Sequence, residues 1–146
     1  MKSYDPQMHS AEHILNQTMV QLLGCERSFS SHIERKKSKC DYHFERALTM
    51  AEEEELVDRI NEIIAGNFDI TEHFISREEA GIRYNLSRLP EDAGDTVRIV
   101  TVGHYDACPC IGPHVQNTSE IGRFQLISTS WEEGILRVRF KLERPS

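Results

Sequence analysis

Two pairs of metal-binding side chains, far apart in the sequence, constrain this chain more than any other feature. His9-Ser10-Ala11-Glu12-His13 and Cys110-Ile111-Gly112-Pro113-His114 each hold two nitrogen or sulfur donors with three residues between them. Zinc takes four such donors tetrahedrally, at roughly 2.0–2.3 Å. If both pairs serve one ion, the fold must bring the start of the chain against its last third. The alternative for the same residues is two histidines at the edge of a core, a buried thiol and a turn histidine.

Local patterns show how the pairs could meet. Leu15, Met19, Leu22 and Leu23 recur at three- and four-residue steps, which predicts a helix over 8–23 ended by Gly24 and buried on one side. At helical spacing His9 and His13 lie about 40° apart, flanking the apolar stripe near Val20 and Leu23. The β-branched run Thr96 to Gly103 predicts a buried strand that delivers the chain to Asp106 and the cysteines. Gly112 and Pro113 then allow a turn that could set Cys110 and His114 against the helix edge.

The remaining elements follow from alternation and capping. Cys25 to Lys39 is serine-rich and basic, and reads as a turn, a short strand and a hairpin tip; Cys40, Tyr42 and Phe44 alternate as in a half-buried strand. Thr49 and Glu52 have capping-box spacing, and Leu56, Ile60, Ile63 and Ile64 form one helix face before Gly66. Phe68 to Ile75 predicts a strand, and Ser76 with Glu79 starts a short helix to Gly81. Residues 82–95 read as a connection, and 115–122 as a polar stretch that loops away. Phe124–Ser130 and Ile135–Leu142 read as a hairpin. The order predicts an α+β fold in which helices pack on a mostly antiparallel sheet as a two-layer sandwich.

A chain of 146 residues is expected to form one domain, 1–146, and contains neither a membrane-length apolar run nor a signal pattern. A soluble, cytoplasmic protein is expected, with no membrane partner and four free cysteines rather than disulfides. The net charge of −7 argues against nucleic acid, but the charge is uneven. Residues 51–95 hold 13 acidic and 4 basic side chains, whereas 1–50 hold 6 and 7, and 96–146 hold 5 and 6. Arg35, Lys36, Lys37 and Lys39 form a local basic run.

His9 to His13, Cys110-Ile111-Gly112-Pro113-His114-Val115, and Thr118 to Gly122 together resemble the editing domains of threonyl- and alanyl-tRNA synthetases and their free-standing relatives, the AlaX proteins. Glu78-Glu79-Ala80, Pro90-Glu91-Asp92 and the strand 134–143 are similar to the short AlaX form. The resemblance implies zinc as cofactor, with His9, His13, Cys110 and His114 as ligands. It also implies hydrolysis of the ester joining a wrong amino acid to the tRNA 3′ end. That makes the partner a mischarged acceptor end, seryl- or glycyl-tRNA(Ala), with seryl-tRNA(Thr) or a catalytically degenerate, zinc-stabilised RNA-binding domain as alternatives. Pocket size alone discriminates small amino acids poorly, so a second hydrolytic site removes errors.

Zinc there could activate water, polarise the ester or hold the substrate amino group. Four simultaneous ligands would favour holding the substrate. Asp106 is a candidate general base or a partner of a ligand. Cys108 competes with Cys110, whose assignment rests on its spacing to His114. The family's hydroxyl beside an aromatic residue falls on Ser30, after Phe29, or on Ser31. Arg27, Arg35, Lys36, Lys37 and Lys39 are the candidate tRNA contacts.

Overall fold

A computed structural model describes residues 5–84 and 95–144. Helix α1 (Pro6–Leu23) begins at Asp5, whose carboxylate accepts from Met8 N–H, and ends at Gly24 in the left-handed region (φ 70°). Strands β1 (Ser30–His32) and β2 (Ser38–His43) form the basic hairpin. Helix α2 (Met50–Ala65) follows a complete capping box from Thr49 and Glu52, and buries Leu56, Ile60 and Ile64. Strand β3 (Ile70–Ser76) leads to α3 (Arg77–Arg83), capped by Ser76 and running two residues past Gly81. Strands β4 (Thr96–Val102), β5 (Asp106–Pro109), β6 (Arg123–Glu132) and β7 (Ile135–Glu143) complete the chain. The expected connection at 82–95, with Pro90-Glu91-Asp92, lies mostly outside the described residues.

The α+β class and antiparallel pairing hold, but the strands divide into two sheets. One has the order β1-β2-β7-β6, the other β3-β4-β5. The extra strand is β5, too short and too polar at Asp106 to show alternation. The β6–β7 hairpin turns through Glu133 (φ 49°) and Gly134 (φ 84°), the two positive φ values of a type I′ turn.

Helix α1 is enclosed more fully than its periodicity predicts. Residues 10–16 are all buried, not one stripe of them. Met8, Ala11, Ile14, Leu15 and Met19 share a core with Tyr42, Val138 and Phe140 of the larger sheet and with Val100 and Val102 of the smaller. Covered from both sides, the helix turns even its polar face inward, which is how Ser10, Glu12 and His13 come to be buried.

The stretch 115–122 does not loop away. Asp69 and Asn117 form a β-bridge, Thr118–Glu120 make a 3-10 helix, and Thr118 and Ile121 are fully buried. Thr118 Oγ1 accepts from Phe68 N–H at 3.0 Å, so polar side chains there anchor the segment. No helix among the described residues is long and apolar enough to cross a membrane.

Candidate metal centre

The helix half of the site starts at a fixed helix terminus. Asp5, the α1 N-cap, accepts from Arg144 at 2.9 and 3.0 Å and from Arg35 at 3.4 Å. Two turns on, His13 Nδ1 lies 2.9 Å from Cys108 Sγ and 3.5 Å from Asp106 Oδ2. Arg27 donates to both Asp106 oxygens, at 2.8 and 3.3 Å, and to Cys108 Sγ at 3.4 Å. His9 Nδ1 is 3.8 Å from Glu12 Oε1, and its ring stands edge-on to His114 at 6.4 Å between centroids.

The loop half follows β5. Cys110 N–H donates to Arg98 O at 3.2 Å, and Arg98 Nη1 donates to the carbonyls of Cys110 at 3.2 Å and Gly112 at 2.7 Å. Gly112 N–H points at Cys110 Sγ, 3.3 Å away. A Cβ on Gly112 would sit 3.2 Å from His9 Nδ1, so glycine lets the turn approach the helix. His114 Nε2 is 3.3 Å from Cys110 Sγ, and its Nδ1 is 3.3 Å from Ser10 Oγ, which accepts Val115 N–H at 3.1 Å.

The ligand atoms of His13, Cys110 and His114 lie within 4.8 Å of one another, and so do those of His13, Asp106 and Cys108. His13 belongs to both groups, and its Nδ1 is taken up by the second. Two imidazoles and a thiol suit zinc, and three donors leave one tetrahedral position for another group. Asp106 and Cys108 suit it less, because the Arg27 guanidinium beside them repels a cation. His9 borders the first group without joining it.

Metal binding needs neutral imidazole and thiolate, and the loop half of the cluster is biased toward that state while His13 is not. Burial, together with the charges of His13, Arg98 and His9, pushes His114 down to about 3. Burial alone would raise the Cys110 thiol, but hydrogen bonding and charge from His13 outweigh it and lower its pKa. Asp106 is likewise held below the carboxylate range: burial opposes ionisation, while His13 and Arg27 favour it more. His13 itself is raised well above its ordinary value, since Cys108, Asp106 and Cys110 overcome burial. Metal binding would displace that proton.

Other predicted residues divide between this centre and elsewhere. Asp106 has 2% side-chain exposure and both oxygens bound by Arg27, a geometry that orients His13 and gives no solvent-facing base. Arg27, expected among the tRNA contacts, is instead turned inward by that pair. Arg35, Lys36 and Lys37 are exposed at the hairpin tip, and Lys39 is half-buried on β2. Ser30 lies opposite Asp41 and Ser31 opposite Cys40, so Ser31 shares the core-facing side of the sheet, where α1 packs, and Ser30 the outer side.

The sequence reading missed Ser10, Glu12 and Arg98. Ser10 and Glu12 lie inside the histidine motif, and Arg98 is the one charge in a β-branched run; each was a visible signal. A groove of about 550 Å³ beside His114 is lined by Glu72, Arg98, Val100, Val115 and Gln116 among others.

The family described as threonyl and alanyl tRNA synthetase second additional domain matches residues 97–139, which carry β4, β5, Cys110, His114 and most of the closing hairpin. This chain is related to that additional domain. It is 33% identical over 124 residues to an alanine-tRNA ligase of Pseudoalteromonas translucida, covering 84% of this chain and 14% of the relative. It is 31% identical over 137 residues to one of Methanococcus vannielii, covering 90% and 15%. For one of Treponema denticola the figures are 28% over 137 residues, 92% and 23%. The chain thus spans between about a seventh and a quarter of the length of these ligases, in keeping with a likeness to one additional domain.

Proposed function

We propose that this protein is a zinc-dependent hydrolase that deacylates mischarged tRNA in the cytoplasm, with seryl-tRNA(Ala) its main substrate and glycyl-tRNA(Ala) its second. The observation that carries the reading is the convergence of His13, Cys110 and His114 from opposite ends of the chain, within 4.8 Å of one another. The relatives are named alanine-tRNA ligases, which favours alanine tRNA over threonine tRNA.

His13, Cys110 and His114 would hold the ion, with His9 at its margin. Bound there, zinc supplies a Lewis acid for the ester, for water or for the substrate amino group. Cys108 Sγ and the Asp106 carboxylate lie beside His13 Nδ1, at 2.9 and 3.5 Å, and leave its other ring nitrogen to face the site, while Arg27 keeps Asp106 ionised. Ser10 does the same for His114 Nδ1. Ser31, on the helix-facing side of β1, is our assignment for the hydroxyl that meets a seryl substrate. Arg35, Lys36, Lys37 and Lys39 supply phosphate contacts at the hairpin.

Release of serine, glycine and threonine from their mischarged tRNAs, measured with metal-loaded protein, tests the reading. Serine release from tRNA(Ala) is expected to be fastest. Faster release from seryl-tRNA(Thr) would transfer the specificity to threonine tRNA. Stoichiometric zinc with no deacylation of any of these substrates would leave a metal-stapled RNA-binding domain.

A further inference from the structure

The turn that carries Cys110 and His114 lies beyond the last ladder residue of β5, so its shape must come from elsewhere. One side chain reaches it from the neighbouring strand. Arg98 Nη1 donates to Cys110 O at 3.2 Å and to Gly112 O at 2.7 Å, while its Nε is bound by the Glu72 carboxylate of β3. The same residue's carbonyl accepts Cys110 N–H at 3.2 Å. Arg98 therefore grips the carbonyls of the Cys110–Ile111 and Gly112–Pro113 peptides, two residues apart in the turn. With its carbonyl turned to Arg98, the Gly112 residue aims its N–H at Cys110 Sγ, 3.3 Å away.

We propose that Arg98 is the positioning residue of the loop half of the metal centre: seated between Glu72 and the carbonyls of Cys110 and Gly112, it sets the turn that directs Cys110 and His114 at His13. It touches neither donor atom and acts through the backbone. Arginine suits this role because its planar fork satisfies two carbonyls and a carboxylate at once, which a lysine ammonium cannot do in fixed directions. Glu72 is the anchor of the anchor: on edge strand β3 it holds the guanidinium in place from outside the site.

The proposal rests on the zinc reading above, and its test separates the two. Zinc affinity would be measured by competition with a chromophoric chelator, alongside the visible spectrum of the cobalt(II)-loaded protein and the unfolding midpoint of the metal-free protein. Arg98→Gln is expected to weaken zinc binding by about 10- to 100-fold and to distort the cobalt spectrum, with the metal-free midpoint close to wild type. Arg98→Lys, keeping charge without the fork, should fall between. Glu72→Gln should shift affinity in the same direction by less.

An Arg98→Gln protein with wild-type affinity and cobalt spectrum would overturn the proposal while leaving the zinc reading intact. So would a loss of affinity matched by collapse of the metal-free fold in a protein whose Glu72→Gln variant binds zinc as wild type does. Wild-type protein that takes up no zinc or cobalt would overturn both.

Discussion

The helix half and the loop half of the candidate metal centre bring one converging donor, His13, and two, Cys110 and His114, and they are held differently. His13 rides on α1, an element with its own N-cap, its own hydrogen-bond ladder and a core packed on both sides. Cys110 and His114 follow the end of β5 and are aimed by groups from elsewhere: Ser10 behind His114, and Arg98 on the carbonyls of Cys110 and Gly112. In metal affinity the helix half should tolerate loss of a neighbour better than the loop half. A donor on a regular element inherits its position; a donor on a turn must be given one.

The largest effects should come from the converging donors themselves. His13→Ala and Cys110→Ala are each expected to abolish stoichiometric zinc and to lower deacylation by more than about 100-fold, beyond the usual effect of removing an outer partner. His9→Ala should do less, because His9 lies outside the converging set; metal analysis and rates showing it equal to His13→Ala would place it inside.

Asp106→Asn comes next. It leaves the Arg27 guanidinium facing a neutral amide in a buried position, and should cost about 3 kcal/mol in denaturant unfolding of the metal-free protein. A cost within error of zero would mean that the helix half does not depend on this pair.

Ser10→Ala removes the acceptor of Val115 N–H and the partner of His114 Nδ1. Zinc affinity should drop about 10-fold, with about 1 kcal/mol lost from the metal-free protein. If affinity is unchanged, the loop half positions His114 without the helix, and the contrast between the halves fails.

The smallest effect lies away from both. Arg137 donates to Asp41 at 2.7 and 2.9 Å, and this pairing, with burial opposing it, holds the Asp41 carboxyl below its ordinary value. A depressed folded pKa gives stability that is present above the unfolded value, about 3.9, and lost as pH falls through the folded one. Asp41→Asn should flatten the acid side of the stability profile and leave zinc binding at neutral pH untouched. A change in zinc binding would show that the outer sheet face communicates with the site.

Much of the fold was legible because its determinants are local. Thr49 and Glu52 announced α2, Gly24 ended α1, and Glu133-Gly134 joined the last hairpin. The misses have physical reasons. Strand β5 has four residues with a charge at its head, so alternation could not reveal it. Residues 115–122 look polar because Asn117 and Thr118 spend their side chains on backbone groups of the 67–69 segment. The Arg27 pairing with Asp106 spans 79 positions, so no local pattern could announce it.

The sequence by itself determined the donor types, their spacing and the elements that carry them, since periodicity, capping and turn chemistry act within a few residues. Only the tertiary structure placed the two thiols in different groups, Cys110 with His13 and His114 and Cys108 with His13 and Asp106. Cys108 faces His13 Nδ1 beside Arg27, and Cys110 faces His114. That choice depends on contacts such as Cys108 with His13 and Ser10 with His114, 95 and 104 positions apart, and packing rather than local preference makes them.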